Sequence, residues 1–256
     1  MYGRNERHVL KDTWFREWFD SPFYHKLYFQ RDEAEAAAFL ERLVGLLRPP
    51  PGSSMLDVAC GRGRHSMILA SKGFDITGID LSMASIQEAK SAEHDKLHFY
   101  QHDMRLPFWI NYFDYAFNFF TSFGYFKSER EHYNVIRTIA DSLKQDGTLL
   151  LDYLNVHYAE EHLLPNEKKE MDGTIFYLTR WFDETHFYKK IEIEDDSLEA
   201  PLIFMEKVAK FNLGDFNDMF SYHHLQVQEI FGNYNFHNYH LYDSPRLIIV
   251  AKKMHF

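Results

Sequence analysis

Residues 55–80, MLDVACGRGRHSMILASKGFDITGID, constrain this chain more than any other stretch. An apolar run at 55–59 with a single acid, Asp57, suits a buried parallel strand. The turn Cys60-Gly61-Arg62-Gly63 follows at once. Met67, Ile68 and Ala70 fit a helix over 64–72, and Gly73 is placed to stop it in a left-handed cap. A second strand over 74–79 ends in Asp80. Strand, glycine turn, helix and strand together form the unit of an open α/β sheet, which takes its ligands at the strand carboxyl ends.

Glycines at 61 and 63 are what a sharp turn needs where a ligand approaches the backbone. Asp80, about twenty residues past the first glycine, is placed to accept two hydrogen bonds from a ribose diol. Nicotinamide-binding and S-adenosylmethionine-binding folds share all of this, so the glycines alone leave both open. Two features bear on the choice. Ser66 replaces the third glycine that packs a helix beneath a pyrophosphate. Asp57, inside the strand, would repel a pyrophosphate and attract an ammonium.

The segment Asp57-Val58-Ala59-Cys60-Gly61-Arg62-Gly63 resembles motif I of class I S-adenosylmethionine-dependent methyltransferases of the small-molecule type. Ala59 stands where the family commonly has its first glycine, a departure expected to crowd the turn only slightly. The resemblance covers residues 52–155 by motif and the last thirty by pattern. It implies that Asp57, Ala59, Gly61 and Gly63 form the cofactor turn, that Asp80 and Leu81 meet the ribose side, and that Asp103 and the Met104 N–H meet the adenine. Asn118, at the end of the fourth strand, maps nearest the sulfonium. The loop after it, with Phe123 and Tyr125, maps beside the methyl group.

The remaining elements follow from periodicity. Trp14, Phe15, Trp18, Phe19, Phe23, Tyr24 and Tyr28 crowd residues 9–28, a segment that has to bury itself as a helical flap, with each aromatic contributing about 2 kcal/mol. As a lid, it brings Tyr28 to the cofactor and Tyr24 to the acceptor. A helix over 32–47 ends at Arg48-Pro49-Pro50-Pro51-Gly52. Further helices are expected over 83–93, 129–144 and 213–220. Strands are expected over 97–102, 113–120, 148–154 and 225–231, with a last one, antiparallel by the resemblance, over 244–252. Between the fifth strand and the 213 helix, three β-rich runs at 174–181, 186–194 and 202–211 read as an antiparallel insertion of about three strands.

The expected fold is α/β, a doubly wound Rossmann-like seven-stranded sheet with a β-rich insertion after the fifth strand and an N-terminal helical flap. The flap takes residues 1–48, and the methyltransferase domain takes 49–256 with its insertion at about 167–212. Candidate acceptor contacts are Tyr24, His65, Phe123, Tyr125, Tyr153 and Asn155. The expected activity is methyl transfer from S-adenosylmethionine to a small molecule. The alternatives are a nicotinamide-dependent oxidoreductase, an RNA methyltransferase and a non-catalytic cofactor-binding module. No residue announces itself as a catalytic base.

Composition narrows the partners. A net charge of −10 without a dense basic block argues against a nucleic-acid footprint. The single cysteine, Cys60, excludes an internal disulfide framework, and no apolar run approaches a membrane span, so a cytoplasmic enzyme without a membrane partner is expected. His223, His224, His237 and His240 lack carboxylate or cysteine partners at ligand spacing, and no metal is expected. Oligomeric state and acceptor identity carry no signal.

Overall fold

The computed structural model describes residues 14–28 and 33–255, with the side chains of 33–35 excepted. The rest of the expected flap, at 1–13 and 29–32, lies outside the described residues. So does the expected helix start at Asp32.

Five parallel strands form the centre: β1 Ser54–Val58, β2 Asp75–Asp80, β3 Leu97–Gln101, β4 Phe113–Asn118 and β5 Leu143–Leu154. Two more, β10 Leu225–Phe231 and β11 Arg246–Lys253, complete a seven-stranded sheet in the order β10-β11-β5-β4-β1-β2-β3. β11 runs antiparallel to β5, with Arg246 opposite Leu154. All five residues of β1 are buried, as a strand covered on both faces requires. α3 Glu33–Leu47 and α4 Arg64–Ser71 pack on one face through Phe39, Leu40, Leu43 and Leu69. α6 Glu129–Ser142 and α8 Leu213–Tyr222 cover the other, burying Ile136, Ile139, Phe216 and Phe220. Capping boxes at Ser128 and Asn212 start these last two helices by satisfying their free N–H groups. α5 Met83–Ala89 is shorter than expected and ends in a 3₁₀ turn at Lys90–Ala92.

Three expectations need correction. The insertion has four strands: β6 Asn166–Met171, β7 Thr174–Phe182, β8 His186–Glu194 and β9 Leu202–Ala209 form an antiparallel sheet in chain order. β6, NEKKEM, is an edge strand whose charges hide its β character, and such charges suit an edge. The gap expected between the helix over 129–144 and the strand over 148–154 is absent: β5 leaves α6 directly at Leu143 and carries Asp146 at φ 62°. After β5, a short helix α7 Val156–Glu161 was not foreseen.

The flap forms α1 Trp14–Phe19 and α2 Pro22–Tyr28. Trp18 is fully buried against the insertion sheet, its ring 4.7 Å from Phe204, within an apolar cluster of Leu27, Phe176, Leu178, Ile191 and Ile193. Lys26 on α2 donates to the Asp172 carbonyl at 2.9 Å, which adds a polar tie to the same sheet. No described helix is long and apolar enough to cross a membrane.

Candidate active site

A cavity of about 450 Å³ opens where β1, β2 and β4 end, roofed by α1, α2 and the insertion sheet. Its size is within the ~300–1,000 Å³ usual for small-molecule sites. One side is the glycine turn. Gly61 has φ 56°, and a Cβ there would meet nothing within 4 Å, so that space is open for a ligand. Gly63 serves packing instead: a Cβ would lie 2.4 Å from the Phe99 ring, and Gly63 is not on the cavity wall. Ala59 corrects the expectation of slight crowding. It is held at φ 62°, a left-handed conformation that costs an L-residue about 1–2 kcal/mol.

Asp57 lies beneath this turn, almost fully buried, and its Oδ2 accepts from Ser66 Oγ at 2.6 Å. Burial pushes its carboxyl up to about 6 against that hydrogen bond, and the nearby Asp80 adds to the rise. Ser66 is therefore more than a missing glycine. Asp80 accepts from the Gly61 N–H through Oδ2 and from the Ser82 N–H through Oδ1, each at 2.8 Å. A carboxylate has about four acceptor positions, so capacity remains toward the cavity.

Asp103 and Met104 also line the cavity. Asp103 is heavily engaged. Oδ1 accepts from the Arg105 N–H and Nε, and Oδ2 from Arg105 Nη2 at 2.6 Å and Arg16 Nη2 at 3.5 Å. Burial alone would raise its pKa, but the Arg105 bonds outweigh burial and hold it below the usual carboxylate range. An adenine amine at Asp103 has to displace the long Arg16 contact.

Of the acceptor candidates, Tyr24, His65 and Tyr125 line the cavity, as do Tyr28 and Leu81 from the cofactor set. Four other residues do not. Phe123 is fully buried among His132, Phe211 and Phe216. Tyr153 is buried with its hydroxyl on the Ala209 carbonyl. Asn155 donates to the carbonyls of Leu241 and Ser244, each at 2.8 Å, pinning the hairpin before β11. Asn118 donates to the Val58 carbonyl at 3.1 Å and supports the end of β1 from below. These four residues lie off the cavity wall and hold the frame.

Sequence reasoning missed the polar residues of the roof. Glu206 on β9 is buried and accepts from Trp18 Nε1, Tyr28 OH and Lys189 Nζ, each at 2.7 Å. Lys189 on β8 also donates to the Tyr28 hydroxyl. Burial raises Glu206, but the Lys189 ammonium and the three donors bring it below its usual value. Glu206, Lys189 and Tyr28 face the cavity from three separate segments. Arg246 and Thr121 complete the far wall. No cluster of histidine, cysteine and carboxylates suited to a metal occurs among the described residues.

The sheet order, the final antiparallel strand and the cavity at the strand ends define the class I methyltransferase fold, and among the described residues the insertion sheet and the two flap helices are additions to it. A solved S-adenosylmethionine-dependent methyltransferase from Clostridium acetobutylicum superposes with a TM-score of 0.76 at 16% identity, covering 91% of this chain and 97% of that one. By sequence, residues 55–147 match the model of a methyltransferase-domain family. The protein YqeM of Bacillus subtilis is 32% identical over 136 residues, which is 52% of this chain and 55% of that protein. The dTDP-3-amino-3,4,6-trideoxy-alpha-D-glucopyranose N,N-dimethyltransferase of Streptomyces venezuelae is 30% identical, covering 48% and 51%. The chain spans about half the length of the curated relatives it matches.

Proposed function

We propose that the chain is an S-adenosylmethionine-dependent methyltransferase acting on a small acceptor. The observation that carries this reading is the pair Asp57 and Asp80 on either side of the open Gly61 turn, inside one roofed cavity. A buried carboxyl raised to about 6 is ready to ionise against an ammonium, and Asp80 keeps acceptor positions for a ribose diol. Leu81, Met104 and Asp103 are the residues proposed to meet the adenosine, with Tyr28 closing from the flap. The bound cofactor supplies a sulfonium methyl that is already electrophilic. The chain has to align the acceptor and exclude water, and alignment alone is worth up to about 7–11 kcal/mol. Tyr24, Tyr28 and Tyr125 wall the space for it under the roof.

A small acceptor is supported by the roof and by the amino-sugar nucleotide named for the S. venezuelae relative. A nicotinamide oxidoreductase is disfavoured because a pyrophosphate at this turn would face the buried Asp57. We divide the chain into a flap through residue 48 and a methyltransferase domain over 49–256 with the insertion sheet. Calorimetric titration with S-adenosylmethionine, followed by assay of S-adenosylhomocysteine formation across small amines, hydroxy compounds and acids, tests the reading. Absence of cofactor binding would sink it, and binding without turnover on any acceptor would favour a non-catalytic module.

A further inference from the structure

The turn after β4 is strained and held from behind. Phe120 and Thr121 take successive positive φ values of 56° and 59°, a conformation that aromatic and β-branched residues rarely adopt. Asp152, fully buried on β5, holds the turn: Oδ2 accepts from the Phe120 N–H at 2.7 Å, and its carbonyl accepts from the Thr121 N–H at 3.0 Å. Arg246 locks this from β11. Its Nε and Nη2 reach Asp152 Oδ1 at 2.8 and 2.7 Å, and Nη2 also donates to Thr121 Oγ1 at 2.8 Å. The Tyr234 hydroxyl fills the remaining position on Asp152 Oδ2 at 3.1 Å.

The acceptors of this cluster are thus used up, and Asp152 is off the cavity wall. The donors are not used up. Among the described residues, Arg246 Nη1 donates to nothing, and the Thr121 hydroxyl, which accepts from Arg246, has no acceptor for its own proton. Both residues line the cavity. Adjacent donors without matching acceptors suit a group that only accepts, a carboxylate or phosphate.

We propose that Arg246 and Thr121 form an anion-binding subsite that takes a carboxylate or phosphate of the methyl acceptor. Assignment of the subsite to the methyl acceptor rests on the methyltransferase reading, whereas the anion subsite itself does not. The cofactor's own carboxylate has the same chemistry, but sheet geometry favours the acceptor. The Arg246 guanidinium is held over Asp152 on β5, two strands from β1 or about 10 Å at ~4.8 Å per strand, and a carboxylate sharing a carbon with the ammonium at Asp57 stays near β1. The strain in the 120–121 turn then has a use, since it presents the Thr121 hydroxyl beside the guanidinium.

Arg246→Lys keeps a charge for Asp152, and Thr121→Val keeps the shape of the turn, so both variants should fold, as thermal unfolding would check. Inorganic phosphate and acetate are titrated calorimetrically into ligand-free protein and into protein saturated with S-adenosylhomocysteine. We expect either anion to bind the saturated wild type, with affinity lowered at least about tenfold in each variant and S-adenosylhomocysteine affinity unchanged within about twofold. Failure of both anions to bind wild type, or equal anion binding in wild type and both variants, overturns the subsite. A matching loss of S-adenosylhomocysteine affinity in the variants overturns the acceptor assignment and gives the donors to the cofactor. Anion binding that depends on Arg246 and Thr121, in a protein that binds no S-adenosylhomocysteine, supports the subsite while removing the methyltransferase reading.

Discussion

Ser66 Oγ donates to Asp57 Oδ2 across 2.6 Å, with both side chains buried beneath the glycine turn. The bond joins the first turn of α4 to β1 beneath the cavity that Asp57 lines. It partly offsets the cost of burying a carboxylate that no arginine or lysine pairs among the described ion pairs.

The first prediction follows from the raised Asp57. Its folded pKa, pushed up to about 6 by burial, lies above the ordinary carboxylate value. The unfolded chain therefore loses this proton first, and the stability penalty grows as pH rises from about 4 to about 6 and is full above that. Asp57→Asn should unfold at a higher temperature than wild type at neutral pH and close to it at pH about 4. Affinity for S-adenosylmethionine should rise about tenfold between pH 5 and pH 7 in wild type, as the carboxylate ionises, and stay flat in the variant. A wild-type affinity that does not change with pH would take Asp57 out of the ammonium site.

Asp80→Ala removes both the proposed ribose acceptor and the anchor of two backbone N–H groups. Cofactor affinity should fall about 30- to 1000-fold, and urea unfolding should show a loss of about 1–3 kcal/mol. Stability loss with unchanged cofactor affinity would leave Asp80 a purely structural residue.

Glycine and alanine in the turn should respond in opposite directions. Ala59→Gly relieves left-handed strain at a smaller entropic cost, for a gain of up to about 1 kcal/mol. Gly63→Ala forces a methyl into the Phe99 ring at φ 78° and should lose more than about 2 kcal/mol. Chemical denaturation of the two variants checks the pair, and equal effects would contradict the strain assignment.

The roof should loosen when its buried carboxylate is removed. Glu206→Ala strands the Lys189 ammonium and orphans Trp18 Nε1 and the Tyr28 hydroxyl, costing about 3–5 kcal/mol if the region unfolds with the core. Limited proteolysis should then cut within 14–28 faster than in wild type, and Tyr28→Phe should show a smaller effect. Unchanged cleavage in Glu206→Ala would mean that the apolar cluster around Trp18 holds the flap alone.

What the sequence determined by itself was local. Asp57, Gly61 and Asp80 sit within 25 residues, and their spacing along a strand, a tight turn and a second strand puts them at one edge whatever the rest of the chain does. The order of strands and covering helices was legible for the same reason, because periods of 2 and 3.6 are properties of short segments. Only the tertiary structure decided which strand-end side chains face the cavity. Tyr125 faces it while Phe123 points into the core, and Tyr153 and Asn155 serve the frame, since a rotation of one residue in a loop exchanges wall for interior. The joining of Tyr28 with Lys189 and Glu206, and of Thr121 with Arg246, links segments separated by more than a hundred residues. No periodicity reports such a meeting. It exists because burying a charge in this roof or this far wall is tolerable only where partners from distant elements arrive to satisfy it.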